Sequence, residues 1–327
     1  MARLAVTARL SDPEAAERLR AAGHEIAVRD DPRSASAADL RELAAGREGL
    51  LCLPADRIDA AFLDACPALR WVSVHAVGTD NVDLDAAAER GVAVANTPGV
   101  LDDAVADHCV ALALAAARRV AEGDRLVRAG GWTGFRADLL LGLDLAGATA
   151  GLLGLGGVGR AVARRLVGGF GMRGLYVARR PHPEDEAALA VERADLDDLL
   201  RAADLVTVHV PLTGETRGMI GARELGLMRP GAVLVNVSRG PVVEEAALVA
   251  ALREGRIAAG LDVFDTEPLP AGHPLTELPN VVLTPHIASA GRETRARMAG
   301  LAVDNLLAMA DGRRPPSPVV WDGRPAG

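Results

Sequence analysis

The chain has 327 residues, half of them hydrophobic and 24% charged, which suits a soluble globular protein of two domains. Its net charge of −8 argues against nucleic acid or an anionic membrane surface as the main partner. No apolar run is long enough to span a membrane, and the N-terminus does not read as a signal peptide, so we expect a cytoplasmic protein. The three cysteines lack the spacing of a disulfide framework or a metal site, so we expect buried thiols and no metal.

Strand-like and helix-like segments alternate through the first third of the chain. The predicted strands cover residues 4–8, 25–29, 49–53 and 71–75, and the predicted helices cover 13–22, 38–45 and 60–66. Such alternation is typical of βαβ units that build a parallel sheet with helices on its faces.

A second run of the same kind begins near residue 148. Its predicted strands cover 149–154, 174–178, 205–209, 232–237, 258–263 and 281–284, which is enough for a complete dinucleotide-binding sheet. A helix over 102–119 separates the two runs, a long helix is predicted over 292–309, and the Pro-rich tail 313–327 is predicted to loop over the surface.

These elements predict an α/β protein made of two doubly wound parallel-sheet domains. A Rossmann nucleotide domain at 99–289 would be inserted into a flavodoxin-like substrate domain formed by 1–98 and 290–327. Two chain crossings between the domains would leave a cleft with a hinge.

A glycine-rich loop follows the first strand of the second run. Gly154, Gly156 and Gly159 match GxGxxG, with Gly157 and Val158 between the last two. By itself the match is weak, because glycine-rich turns are common. A strand before it and a helix after it fit a turn that brings backbone N–H groups to a pyrophosphate, so we expect these five residues to bind the cofactor.

The end of the next strand bears on the choice of cofactor. Enzymes that use NAD usually carry an acidic residue there, but Ala178 occupies the position, 19 residues after Gly159 (178 − 159 = 19), and Arg179 and Arg180 follow. The missing carboxylate removes repulsion against a 2′-phosphate, and an arginine can pair with that phosphate. We therefore expect a preference for NADP(H), with NAD(H) possible. His182 is either a further phosphate contact or a surface histidine.

Three side chains have the chemistry to reduce a ketone. Arg239, Glu267 and His286 each follow a predicted parallel strand, where open α/β sheets bind ligands. A histidine held by a carboxylate can supply the proton, and an arginine can grip a substrate carboxylate and polarise the carbonyl. Taken alone, each residue also has an ordinary structural explanation: an arginine after a strand often forms a surface ion pair, and a lone histidine is often structural.

Several segments together carry a family resemblance. They are VGTDNVD at 77–83, RGVAVANTPG at 90–99, the glycine loop, HVPLT at 209–213, VNVSRG at 235–240, LDVFDTEP at 261–268 and LTPHIAS at 283–289. In this order they resemble the D-isomer-specific 2-hydroxyacid dehydrogenases over nearly the whole chain. The ARR ending at 178–180 and the HIAS segment at 286–289 are most similar to NADP-dependent glyoxylate/hydroxypyruvate reductases.

The resemblance implies roles for individual residues. His286 would be the general acid and base, Glu267 its partner, and Arg239 the substrate anchor. Backbone N–H groups at Val77 and Gly78 would hold the substrate carboxylate. Ser289 would add a substrate contact. The implied cofactor contacts beyond the loop and the two arginines are Pro211, Val237, Asp262, His286 and Ala288.

The resemblance also implies the reduction of small 2-oxo acids to D-2-hydroxy acids by a homodimer. The helix over 102–119 would form part of the dimer contact, with Val105, Cys109 and Leu112 as one stripe, unless that stripe packs onto its own domain. Gly157 departs from the family pattern, where a larger polar residue is frequent, and this puts one pyrophosphate contact in doubt.

Other functions stay open at this point. A phosphoglycerate-type dehydrogenase is a rival, although many of those carry a further C-terminal domain and use NAD, and formate or phosphite oxidation uses related scaffolds. A dinucleotide-sensing corepressor is a rival from another class, because such proteins can keep both the fold and the catalytic residues.

Overall fold

The computed structural model describes residues 1–322 and 324–325. The chain folds into two compact units. One consists of residues 1–101 together with the described residues from 290 onward, and the other of residues 102–289. No helix in the described ranges is both long enough and apolar enough to cross a membrane.

The first unit is built on a mixed sheet. Its strands are β1 (Arg3–Val6), β2 (Glu25–Val28), β3 (Gly49–Cys52), β4 (Trp71–Val74), β5 (Ala93–Ala95), β13 (Pro318–Trp321) and β14 (Arg324–Pro325). Its helices are α1 (Pro13–Ala21), α2 (Ala37–Ala44), α3 (Ala60–Ala65), α4 (Leu84–Glu89) and α12 (Arg292–Ala310). The sheet order is β2-β1-β3-β4-β5-β13-β14, with β1 to β5 parallel, so the parallel part has the flavodoxin-like order 2-1-3-4-5.

Local sequence explains how these helices begin and what they cover. Asp12, Asp59 and Asp83 each accept a backbone N–H of the following turn, and Ser36 forms a capping box with Asp39. One face of the sheet packs under α1 and α12 and the other under α2, α3 and α4, so the strands are buried on both sides.

The second unit carries the nucleotide-type sheet. Its strands are β6 (Thr149–Leu153), β7 (Arg173–Val177), β8 (Val191–Arg193), β9 (Leu205–Val208), β10 (Val233–Asn236), β11 (Ala258–Leu261) and β12 (Val281–Leu283). Its helices are α5 (Asp102–Ala117), α6 (Val120–Arg128), α7 (Gly157–Ala163), α8 (Pro183–Leu189), α9 (Leu196–Ala202), α10 (Ala222–Leu227) and α11 (Glu245–Arg253). The parallel order β8-β7-β6-β9-β10-β11-β12 is the Rossmann order 3-2-1-4-5-6 with a seventh strand. The predicted fold class, two doubly wound α/β domains, is therefore confirmed.

β5 and α4 of the first unit were not predicted, and three further details of the prediction were wrong. The second sheet has a strand at β8 that was missed, since only Val191 of its three residues is buried and no apolar pattern marks it. The tail predicted as a surface loop forms β13, which pairs antiparallel with β5. The helix predicted over 102–119 ends at Ala117, because Arg119 adopts a left-handed backbone (φ 53°), and α6 starts after it.

The apolar stripe of α5 is covered by its own unit. Val105, Cys109 and Leu112 are each at most 7% exposed, and α5 packs against β10 and β11. Gly260 of β11 allows this approach, because a Cβ there would lie 2.9 Å from the Cβ of Leu112. The stripe is therefore part of the domain core and not a surface for another chain.

Candidate active site

The glycine loop is shaped for the close approach of a ligand. Gly154 has φ +99°, and a Cβ there would lie 3.1 Å from the backbone of His209. A Cβ on Gly159 would overlap the carbonyl oxygen of Gly154, so the loop and α7 pack together only with glycine there. Space around Gly156 is open, with no atom within 4 Å of an added Cβ. A dinucleotide pyrophosphate fits such a loop, and α7 continues behind it as a π-helical segment over Arg164–Gly169.

Two arginines lie exposed at the end of β7. Within the described ranges, neither Arg179 nor Arg180 forms an ion pair or a side-chain hydrogen bond, and Ala178 places no carboxylate beside them. The nearby His182 has a protein partner, because its Nδ1 lies 3.4 Å from Asp185. Asp185 also pairs with Arg160 of α7 at 2.9 Å.

The predicted histidine and carboxylate are hydrogen-bonded. His286 Nδ1 lies 2.7 Å from Glu267 Oε2, and the other carboxylate oxygen accepts the N–H of Phe264 at 3.0 Å. Since a carboxylate only accepts, Nδ1 of His286 carries the hydrogen and Nε2 is left for a substrate. Burial alone would raise the pKa of Glu267, but the hydrogen bond and charge of His286, the Phe264 N–H and the charge of Arg239 hold it below its ordinary value.

Arg239 is brought to the same group by the sheet. It follows β10, Glu267 follows β11 and His286 follows β12, and these three strands are neighbours. Asn236, which the sequence analysis missed, fixes the turn by donating to the carbonyl of Arg239 (2.9 Å) and accepting the N–H of Ser238 (3.0 Å). A Cβ on Gly240 would overlap the backbone of Phe264, so the turn with Arg239 lies directly against the segment that leads to Glu267.

Asp262 holds the segment that carries His286. Its fully buried carboxylate accepts the hydroxyl of Thr284 (2.6 Å) and the N–H groups of Ile287 (2.8 Å) and Ala288 (2.7 Å). Its carbonyl oxygen accepts the N–H of His286 at 2.8 Å. Burial would raise the pKa of Asp262, but hydrogen bonds, beginning with that from His108, lower it. Both carboxylate oxygens therefore have protein donors, and a direct nicotinamide contact stays a prediction.

His108 is a second residue that the sequence analysis missed. Its Nε2 lies 2.9 Å from the hydroxyl of Thr284 and 3.4 Å from Asp262 Oδ1. The sequence shows only a polar residue in a mostly apolar helix that also carries Asp107, and this does not identify a partner.

Four other predicted cofactor and substrate positions lie in the second unit. Val237 and Ala288 are buried, Ser289 is half-buried, and Pro211 is exposed with its carbonyl accepting the Thr216 hydroxyl at 2.6 Å. These positions stay predictions as contacts of a ligand.

Val77 and Gly78 follow β4 in the first unit. Val77 is 40% exposed, and its carbonyl accepts the side chain of Asn96 at 2.7 Å, while the N–H of Thr97 donates to Ala76 at 2.8 Å. The loop is thus tied to the segment after β5. Neither ring nitrogen of the buried His75, which precedes this loop, has a hydrogen-bond partner among the described residues.

Comparison with known proteins identifies relatives over most of the chain. The family model for the D-isomer specific 2-hydroxyacid dehydrogenase NAD-binding domain matches residues 110–288. A glyoxylate reductase of Aeropyrum pernix is 50% identical over 275 residues, covering 83% of this chain and 82% of that protein. A glyoxylate/hydroxypyruvate reductase B of Yersinia enterocolitica is 49% identical over 257 residues, covering 78% and 79%. The structure of an NADPH-dependent glyoxylate/hydroxypyruvate reductase from Sinorhizobium meliloti is similar with a TM-score of 0.82, at 36% identity and full coverage of both chains.

Proposed function

Because the chain belongs to the D-isomer specific 2-hydroxyacid dehydrogenase family, we propose that it reduces glyoxylate- and hydroxypyruvate-type 2-oxo acids to D-2-hydroxy acids, with NADPH as the preferred hydride donor. The observation that carries this proposal is the 2.7 Å hydrogen bond between His286 and Glu267, with Arg239 on the neighbouring strand end. The relatives named above supply the substrate class.

The residues divide the chemistry of ketone reduction between them. The dinucleotide, when bound at the glycine loop, supplies the hydride that adds to the carbonyl carbon. His286 then gives the proton on Nε2 to the carbonyl oxygen, and Glu267 stabilises the charged imidazole before transfer. The fork of Arg239 binds the substrate carboxylate and polarises the carbonyl. We also assign a substrate-binding role to the N–H groups of Val77 and Gly78.

The NADPH preference is supported by the end of β7. Arg179 and Arg180 are exposed, have no protein partner in the described part of the chain, and follow an alanine at the position where an acidic residue would bond the ribose. Initial rates of NADPH and NADH oxidation with glyoxylate, hydroxypyruvate, pyruvate and phenylpyruvate test both the substrate class and the preference. Tight dinucleotide binding without turnover of any acid would instead favour a dinucleotide sensor.

Replacing Arg179 tests the cofactor assignment directly. Arg179→Ala is expected to raise the KM for NADPH about tenfold, since one charge-assisted contact to the 2′-phosphate is lost, and to leave the KM for NADH little changed. Arg253→Ala is a matched control, because Arg253 is also exposed and ends a helix in the same unit. Equal effects on both cofactors would refute the role.

We further propose a homodimer that uses residues 120–141. Among the described residues, eight large hydrophobic side chains are exposed, and five of them lie there: Val120, Val127, Trp132, Phe135 and Leu141. An exposed apolar cluster of this kind marks an interaction surface, and a second copy is the occupant that the family leads us to expect. The double variant Trp132→Ser, Phe135→Ser is expected to be monomeric by light scattering, and a wild-type monomer at micromolar concentration would refute the proposal.

The cysteines bear on location. Cys52, Cys66 and Cys109 are buried and unpaired, which suits folding in a reducing compartment, and this supports our proposal that the enzyme works in the cytoplasm.

A further inference from the structure

Asp102 lies against the glycine loop. It is the first residue of α5, and its carboxylate fills the space beside Gly157, the first residue of α7. A Cβ on Gly157 would lie 2.7 Å from Asp102 Cγ and would overlap one carboxylate oxygen. The carboxylate therefore occupies the volume that any side chain at position 157 would need.

Few neighbouring groups stabilise the negative charge of the Asp102 carboxylate. Among the described residues, Asp102 accepts no side-chain hydrogen bond and forms no ion pair. Its neighbour Asp103, in contrast, pairs with Arg165 at 3.2 Å. Burial, followed by the charge of Asp103, raises the pKa of Asp102 against the opposing charges of Arg160 and Arg164.

A bound pyrophosphate would bring more negative charge to the same place. The loop presents its N–H groups at Gly157, so a dinucleotide bound there would lie beside the Asp102 carboxylate. We propose that Asp102 limits the affinity of the dinucleotide site: its carboxylate, held against Gly157, opposes the pyrophosphate, and the cofactor binds more tightly when this group is neutral. The inference rests on the dinucleotide site of the proposed function and adds a residue that tunes it.

The same contact explains why position 157 is glycine. A side chain there can be accommodated only if the Asp102 carboxylate moves away. The two positions are therefore coupled, and the absence of a larger residue at 157 follows from the acid at 102.

Direct binding of NADH and NADPH, followed by nicotinamide fluorescence, tests the charge effect. Asp102→Asn is expected to tighten both cofactors about fivefold at pH 8, because the pyrophosphate is common to both and a half-buried charge is only partly screened. Asp103→Asn is the matched control and is expected to change neither by more than about twofold, since its charge is exposed and ion-paired. Asp102→Ser is a second variant that keeps the site small.

The pH dependence gives an independent readout. A bound pyrophosphate disfavours the charged form of Asp102 further, so binding takes up a proton and NADH affinity rises as the pH falls. The charged groups that face Asp102 are Asp103, Arg160 and Arg164. Because both arginines stay charged, Asp103 is the one of these three that can also take up a proton. NADH is the better probe because it lacks the titrating 2′-phosphate. This dependence is expected to be lost in Asp102→Asn and kept in Asp103→Asn.

The coupling between the two positions completes the test. Gly157→Ser is expected to weaken NADH binding at least tenfold in the wild type and less than about threefold in an Asp102→Ala background. Unchanged or weaker NADH binding in Asp102→Asn would overturn the inference, as would additive effects of the two substitutions. A wild-type chain that binds no dinucleotide would instead overturn the proposed function, so the two failures are distinguishable.

Discussion

Glu267→Gln removes the charge behind His286 and changes the shape of the side chain very little. The carboxylate accepts two hydrogen bonds, from His286 Nδ1 at 2.7 Å and from Phe264 N–H at 3.0 Å. A glutamine side chain has one oxygen and one NH2 group. Its oxygen can replace one of the two carboxylate oxygens as an acceptor, but its NH2 group then faces the other N–H donor, either that of His286 or that of Phe264. The substitution therefore disturbs either the orientation of His286 or the segment that carries residue 267.

The size of the effect follows from the geometry of this pair. A hydrogen bond to a charged group is worth about 1.5–3 kcal/mol, and each 1.4 kcal/mol is a factor of ten. We therefore expect kcat for glyoxylate with NADPH to fall about tenfold to a hundredfold, while cofactor binding changes little because Glu267 is not in the glycine loop. Glu267→Asp keeps the charge but has a shorter side chain, and its kcat is expected to lie between those of the wild type and Glu267→Gln.

Steady-state rates between pH 5 and pH 9 check this reasoning. Because the pKa of Glu267 is held below its ordinary value of 4.5, the wild-type carboxylate stays charged over this range, and the deficit of Glu267→Gln should persist throughout it. Glu254→Gln, at an exposed position after α11, is the matched control. A kcat of Glu267→Gln within about twofold of the wild type would remove the pair from the proton-transfer mechanism.

Three further substitutions test the supports of the fold and the site. Asp262→Asn should lower the free energy of unfolding at neutral pH by about 2 kcal/mol and lower kcat, because the amide NH2 group would face an N–H donor. Because the pKa of Asp262 is lowered, its stabilisation is present at neutral pH and is lost as the pH falls below about 3.8. Urea unfolding should therefore depend less on acid pH in the variant than in the wild type. His75→Phe should be tolerated at pH 7. Burial, then the charge of Arg295, lowers the pKa of His75 to about 4, so the wild type should lose about 3 kcal/mol between pH 6.5 and pH 4 that the variant keeps. Gly240→Ala should lower kcat more than tenfold, because the new Cβ overlaps the backbone of Phe264, and normal activity would contradict that contact.

The longer buried strands can be predicted from their apolar residues, whereas the three-residue β5 and the strands held mainly by backbone pairing were missed. Strands such as β9 and β10 are fully buried and mostly apolar because both faces are covered, and each was predicted within two residues of its bounds. In β8 only Val191 is buried, and the polar residues after it pair through their backbone with β7, which no side-chain pattern reveals. The tail fails for the same reason, since β13 is defined by its pairing with β5.

The site shows the same division. The sequence pointed to Arg239, Glu267 and His286 because their chemistry is distinctive and each follows a strand. The residues that hold them, Asn236 and His108, make ordinary polar contacts whose partners are set by the fold. His108 contacts Thr284, which lies 176 positions further along the chain, and no sequence pattern reveals a contact of that kind.

The position of His286 depends on hydrogen bonds to the buried Asp262 more than on the preferred backbone conformation of its own residue. His286 has φ 53°, a left-handed conformation that costs a non-glycine residue about 1–2 kcal/mol and persists only when its surroundings enforce it. Three successive N–H groups, from residues 286 to 288, bond to the backbone and side chain of Asp262, and that side chain is anchored in turn by Thr284. The backbone of His286, the residue to which we assign proton transfer, is thus fixed by the buried Asp262. The cost of the strained backbone is offset by these hydrogen bonds to Asp262, which is fully buried, so that water does not compete for its oxygen atoms.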